Sequence, residues 1–125
     1  MHIVIDNPAS WGDKVNFVDS NNVVVGYDLG QNCCEHAGWY ISEIECCDSD
    51  DSRRVPDVDS YIFDVDYFEC VSDSTCFDDG GLARFRLVHP NKPALFLHIF
   101  NSHNGYYGHG FSVEHSGKTI IDSSL

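Results

Sequence analysis

Cysteine and histidine residues gather at two places in the sequence, and both residue types bind zinc or iron. Cys33, Cys34 and His36 lie together in the first third of the chain, and His98 and His109 lie near its end. Zinc sites usually separate two close ligands by two to four residues, whereas these cysteines are adjacent. We therefore expect free, buried thiols and no cofactor. A zinc or iron domain built from these five residues, catalytic or not, is the alternative.

Carboxylates in the middle of the chain form the second group with chemical potential. The protein has 125 residues, of which 20 are acidic and 7 basic, and its net charge is −13. Residues 43–79 hold 13 acidic residues and two arginines, a net charge of −11. Contact with nucleic-acid phosphates or with an anionic membrane requires a surplus of lysine and arginine, so both partners are excluded. Clustered carboxylates repel one another, and we interpret them as a surface for a basic partner, with a merely solubilising face as the alternative.

The expected partner-binding residues belong to this acidic segment. Its carboxylates with this expected role are Asp48, Asp50, Asp51, Asp57, Asp59, Asp64, Asp66 and Glu69. We expect Tyr61 and Tyr67 to be exposed and to anchor the contact, because aromatic side chains often dominate binding energy. The sequence contains no phosphate-binding loop, dinucleotide fingerprint, metalloprotease motif or nucleophile elbow. We therefore expect a protein that acts by binding rather than an enzyme.

Part of this acidic surface is expected to lie on a β-strand over residues 61–70. Apolar and polar side chains alternate there, which is typical of a strand with two different faces. The alternation places Tyr61 and Tyr67 on one face. It places Asp64 and Asp66 on the other face, about 6.6 Å apart along the strand.

A hairpin is the clearest local prediction. Asn104-Gly105 is typical of a type I′ turn, and it predicts that residues 94–103 pair with residues 106–113. In that register His98 and His109 become diagonal neighbours on one face, close enough to interact.

This hairpin is expected to belong to a four-stranded antiparallel meander over residues 82–122. Residues 82–89 alternate as a strand, and residues 94–100, which are apolar on both faces, are expected to be central. Residues 15–18 and 23–27 flank another hairpin candidate.

One short helix is expected near residues 32–44. Apolar residues recur there at steps of three and four, at Cys34, Ala37, Ile41 and Ile44, which is typical of one face of a helix. The predicted fold class is therefore α+β, mainly antiparallel β with six to seven strands, in a single domain over residues 1–125.

Three segments resemble a small domain family of unknown function from bacteriophage and bacterial genomes. They are Val25–Asp28, Cys33–Trp39 (CCEHAGW) and Asn101–Phe111, which contains HNGYYGHGF. The resemblance implies a phage or bacterial setting and carries over no catalytic residue. The first residues lack the basic and apolar regions of a secretory signal, and no apolar run approaches the ~20 residues of a membrane span. We therefore expect the cytosol of a bacterial host.

The acidic segment and this resemblance lead to one hypothesis. We expect a small acidic phage-type protein that inhibits a host nucleic-acid-binding defence complex. The target would be a CRISPR effector or a restriction enzyme, and the acidic surface would occupy its basic channel as a nucleic-acid mimic. The metal-binding domain built from residues 33–36 and 98–109 remains the alternative function.

Overall fold

Nine β-strands, rather than the six to seven expected, make up the regular structure of the residues that the structure describes. The computed structural model describes residues 1–6, 14–28, 35–43, 58–71, 80–103 and 110–124. The strands are β1 (His2–Asp6), β2 (Lys14–Val18), β3 (Val23–Asp28), β4 (Glu35–Ser42), β5 (Ile62–Val71), β6 (Gly80–His89), β7 (Lys92–His103), β8 (Gly110–His115) and β9 (Lys118–Ser124). None of the described residues form a helix, so none form one that could cross a membrane.

The strands form two antiparallel sheets that pack face to face. Sheet A has the order β1-β2-β3-β8-β9, and sheet B has the order β4-β7-β6-β5. The core lies between them, where Phe17 of sheet A meets Trp39 of sheet B edge to face, with ring centroids 5.1 Å apart. Phe85 and Phe111 make a similar contact at 6.4 Å. Such edge-to-face pairs stabilise a core beyond the apolar area that they bury.

Several strands predicted from the sequence are confirmed. Residues 82–89 and 94–103 lie within β6 and β7, and residues 61–70 overlap β5. β7 is apolar on both faces and lies between β4 and β6, as expected for a central strand. β2 and β3 pair as the expected hairpin, with Val18 opposite Val24.

The predicted helix near residues 32–44 is wrong, and with it the α+β class. Residues 35–42 form β4, which pairs with β7, and the described part of the chain is all β. Trp39 and Ile41 belong to the core between the sheets, while Tyr40 is buried on the opposite face of sheet B. A strand that is buried on both faces lacks the alternation of apolar and polar residues that identifies strands. The spacing of its apolar residues therefore resembled that of a helix.

The predicted pairing of residues 94–103 with residues 106–113 is also wrong, so the four-stranded meander does not form. β7 belongs to sheet B and β8 to sheet A. His98 lies opposite Tyr40 and Arg84, whereas Phe111 lies opposite Tyr27. The turn residues and His109 lie outside the described residues. The type I′ turn pattern is local, so it does not indicate whether the next strand belongs to the same sheet or to the other one.

Two buried hydrogen-bonding groups tie the sheets together. The Asp19 carboxylate follows β2 and is 5% exposed. Its Oδ1 accepts hydrogen bonds from the backbone N–H groups of Asn21 and Val23, both at 2.9 Å, and its Oδ2 accepts one from Phe63 of β5 at 2.8 Å. The Tyr27 hydroxyl of β3 donates to the carbonyl of Phe100 in β7 at 2.6 Å. These bonds fix where β5 and β7 lie relative to sheet A.

Candidate functional site

The structure describes part of the predicted acidic surface. Asp59 and Asp66 are exposed, and Asp64 is half-buried. The backbone of Glu69 lies opposite Arg84 in the register of β5 and β6. Four of the predicted carboxylates lie outside the described residues, namely Asp48, Asp50, Asp51 and Asp57.

Asp64 is held by an ion pair within sheet B. Its Oδ2 accepts two hydrogen bonds from Arg86, at 3.0 Å from Nε and 2.5 Å from the terminal nitrogen. Its Oδ1 accepts a bond of 3.1 Å from the backbone N–H of Asp66. The Arg86 guanidinium lowers the pKa of Asp64, because its hydrogen bonds stabilise the ionised form more than burial disfavours it. The pairing also neutralises much of the charge that Asp64 would offer to a partner.

Tyr67 lies on the same side of β5 as this ion pair. The Arg86 guanidinium carbon lies 4.8 Å from the centre of the Tyr67 ring, a cation–π geometry, and the Phe96 ring lies 6.0 Å away. The prediction that Tyr67 and Asp64 occupy opposite faces is therefore wrong. The register of β5 against β6 shifts between Phe63 and Phe68, and this bulge interrupts the alternation.

Tyr61 is not the exposed aromatic that we expected. Its side chain is 3% exposed and belongs to the core. Its hydroxyl donates to the carbonyl of Pro93 at 2.9 Å, and its ring lies 5.2 Å from that of His89. A tyrosine often leaves its polar end at the surface, but here the hydroxyl has a partner inside the protein. Tyr61 therefore positions the start of β5 and offers little surface for binding.

An apolar cleft lies beside the acidic residues, between β5 of sheet B and β9 of sheet A. Val65 and Ile120 flank it, and each is 50% exposed. The other lining residues come from both sheets and are Val23, Val25, Phe63, Asp64, Tyr67, Phe85, Val113 and Ile121. Its free volume is about 30 Å³, which admits a water molecule or the end of one side chain. We call this feature the β5–β9 cleft. It has no local sequence pattern, because its two walls are distant in the chain.

A polar groove lies on the outer face of sheet A and is larger than the β5–β9 cleft. Its volume is about 440 Å³, and Lys14, Asp28, Ser112 and Asp122 line it. Gly26 also lines the groove. A Cβ added there would lie 3.1 Å from the Lys14 side chain, so a larger residue would occupy part of the groove. One cation accompanies two carboxylates in this groove, so its charge is nearly balanced.

His98 lies in a buried polar cluster on the outer face of sheet B. It is fully buried, and its ring stacks on Tyr40 with centroids 4.3 Å apart. Its Nε2 lies 2.9 Å from the Ser42 hydroxyl, and its Nδ1 accepts a hydrogen bond of 3.4 Å from Arg84 Nε. The proton of the neutral ring is then on Nε2 and is donated to Ser42. A serine nucleophile needs the reverse, with Nε2 accepting the serine proton, so this cluster positions strands rather than activating Ser42.

The metal hypothesis finds no support among the residues that the structure describes. They contain no group of three or more histidine, cysteine or acidic residues that could hold a metal ion. Cys33, Cys34 and His109 lie outside them. The backbone of His36 lies opposite Ser102, four residues along β7 from His98, which corresponds to about 13 Å. Nothing in the sequence pattern pointed to Ser42 and Arg84 as the actual neighbours of His98.

Comparisons with known proteins identify a family without an assigned activity. A family model described as a domain of unknown function, DUF7448, matches residues 3–113. No curated protein and no solved structure matches the chain.

Proposed function

Because the chain belongs to the DUF7448 family, whose description assigns no activity, we propose a function from its own charge and geometry: it binds a basic partner through the acidic surface of β5. The observation that carries this proposal is the exposure of Asp59 and Asp66 within a segment of net charge −11 over residues 43–79. Asp66 is held on a strand, so its backbone keeps its position when the partner arrives and less conformational entropy is lost on binding.

The partner that suits this surface best is a protein that normally binds nucleic acid. Its lysine and arginine side chains hold phosphates, and carboxylates can take the place of those phosphates. The net charge of −13 also accelerates association with a basic channel, and this acceleration falls as the salt concentration rises. We propose a CRISPR effector or a restriction enzyme in the bacterial cytosol as the target, and a phage-type inhibitor as the role of this chain.

Arg86 modifies this proposal. It pairs with Asp64 and contacts Tyr67, so Asp64 presents less charge to a partner than the exposed Asp66. Asp66 is therefore the described carboxylate of β5 that we expect to contribute most to attraction, and the exposed Asp59 adds its charge from the turn before β5. Asp64 instead helps to hold β5 in the conformation that presents Asp66.

The test begins with a pull-down from nuclease-treated bacterial lysate at low and high salt, with identification by mass spectrometry. We expect a nucleic-acid-processing complex that is retained at low salt and released at high salt. The affinity of the purified pair is then measured for the double variant Asp59→Asn/Asp66→Asn. The matched control is Glu114→Gln/Asp122→Asn, which removes the same charge from sheet A.

We expect the double variant in β5 and its preceding turn to weaken binding about tenfold, which corresponds to about 1.4 kcal/mol. The control should change it much less. An affinity that does not change between low and high salt would reject the electrostatic mechanism. Equal effects of the two double variants would show that total charge matters rather than this surface, and the proposal would then fail.

A further inference from the structure

We propose that the β5–β9 cleft docks an extended segment of the partner, in which apolar residues are flanked by lysine or arginine. This inference rests on the proposed function and specifies the chemistry of the partner. It requires an apolar contact as well as an electrostatic one, and the two are separable by experiment.

The first observation is the distribution of exposed apolar side chains. Among the described residues, the large hydrophobic side chains that are exposed are Val4, Val65 and Ile120, at 51%, 50% and 50%. Two of the three flank the same cleft, one from each sheet. Neighbouring exposed apolar residues beside charged ones are typical of a binding surface. Val4 lies on β1, at the other end of sheet A.

The size of the cleft decides what kind of ligand fits. Its free volume of about 30 Å³ is far below the several hundred cubic ångströms of a small-molecule site. A protein segment that crosses the cleft needs only the end of one side chain inside it. Val65 and Ile120 would then lose their exposed area to the partner, which is the favourable part of the contact.

Charge complementarity selects the flanking residues of that segment. Asp66 is exposed and follows Val65 directly in the chain, within the segment of net charge −11. Asp64 also lines the cleft, but it is already paired with Arg86 and adds little attraction. A lysine or arginine beside the inserted apolar residue can reach Asp66, because its side chain is long and flexible. An acidic flanking residue would be repelled by the same carboxylate.

The position of the cleft explains why the segment should be extended. In the described residues, β5 ends sheet B and β9 ends sheet A. Val65 and Ile120 therefore lie on the end strands of the two sheets. A segment in extended conformation can contact both side chains at once while it inserts one side chain between them.

The test uses two synthetic peptides of equal charge, both acetylated and amidated. The first is Lys-Lys-Val-Ile-Val-Lys-Lys, and the second replaces the three central residues by serine. Binding to the full chain is measured by calorimetry at low salt. We expect the apolar peptide to bind at least tenfold more tightly than the serine peptide.

Substitutions in the protein identify the surface that causes the preference for the apolar peptide. We expect Val65→Ser and Ile120→Ser each to reduce the preference for the apolar peptide at least threefold, while Val4→Ser, which changes an equally exposed residue, leaves it unchanged. Asp66→Asn should weaken both peptides by the same factor. Thermal unfolding of each variant confirms that it remains folded.

The outcomes separate this inference from the proposed function. If the two peptides bind equally and release at high salt, the cleft has no docking role and the electrostatic proposal stands. If the preference persists in both serine variants, the apolar contact lies elsewhere and the inference is wrong. If neither peptide binds at low salt, both the inference and the proposed function are contradicted.

Discussion

Arg86 of β6 donates two hydrogen bonds to a single carboxylate oxygen of Asp64 in β5. The same guanidinium lies over the Tyr67 ring, so it contacts two residues of β5 within the bulge. This bulge is where Val65 and Asp66 become exposed. The ion pair is therefore part of what shapes the proposed binding surface, although it is an internal contact.

The stability that Asp64 contributes should depend on pH. Arg86 lowers the pKa of Asp64 in the folded protein, whereas an unfolded aspartate titrates near ~3.9. The contribution is therefore complete above about pH 4 to 5 and is lost as the pH falls through the lower folded-state pKa. We expect Asp64→Asn to destabilise the protein by up to about 1 kcal/mol at pH 7, as for other partly exposed ion pairs. Urea unfolding at pH 7 and pH 3 should show this difference shrinking in acid, and a constant difference would contradict it.

Asp19→Ala should be among the most destabilising substitutions of an acidic residue. It removes the acceptor of three backbone N–H groups, of which those of Val23 and Phe63 are buried. Buried donors that lose a charged acceptor destabilise a protein strongly, and we expect a loss on the order of 3 kcal/mol. The control is Asp122→Ala, an exposed residue, for which a change within about 0.5 kcal/mol is expected. If Asp19→Ala lowered the free energy of unfolding by less than 1 kcal/mol, water would have to accept the hydrogen bonds of these N–H groups in place of the carboxylate.

Gly38→Ala should destabilise sheet B through a single contact. An added Cβ would lie 2.8 Å from the Phe100 ring, and that ring is fully buried. We expect a loss of about 1–3 kcal/mol, typical of overpacking. The control Gly110→Ala meets its nearest atom at 3.9 Å and should be nearly neutral. The double variant Gly38→Ala/Phe100→Leu tests the steric explanation, because the smaller leucine leaves room for the added Cβ. We expect the double variant to lose at least 0.5 kcal/mol less unfolding free energy than the sum of the two single losses. A loss equal to that sum would refute the steric explanation.

Tyr27→Phe should cost more stability than Tyr61→Phe. The Tyr27 hydroxyl bonds to a buried carbonyl across the two sheets at 2.6 Å, so its removal leaves that carbonyl without this donor. We expect Tyr27→Phe to lower the free energy of unfolding by about 1–2 kcal/mol. The carbonyl of Pro93 that Tyr61 contacts is only partly buried, and water can replace the hydroxyl there. Chemical denaturation of both variants measures the order, and the reverse order would contradict the importance of the cross-sheet bond.

The sequence predicted strands best where one face is buried and the other is exposed. In β2 and β8 the side chains alternate between buried and more exposed, and both strands were expected. β4 was misjudged because Tyr40 and Ile41 are both fully buried, on opposite faces. Burial on both faces depends on which other strands pack there, and this information is not local to residues 35–42.

The candidate site shows the same limit. Asp59 and Asp66 were identified from composition, and their exposure agrees with a surface role. Tyr61 was misplaced because a tyrosine in an alternating strand can face either the core or solvent. The β5–β9 cleft joins residues that lie more than 50 positions apart in the chain, so only the packing of the two sheets brings Val65 and Ile120 to one place.

The register shift in β5 also affects how copies of this protein meet one another. A long strand at the end of a sheet presents a regular row of backbone groups, to which a second copy can add its own strand and begin aggregation. The shift between Phe63 and Phe68 breaks that row, and the exposed carboxylate of Asp66 within it repels an approaching copy. The irregularity that presents the proposed binding surface therefore also makes β5 a poor template for the strand of a second copy.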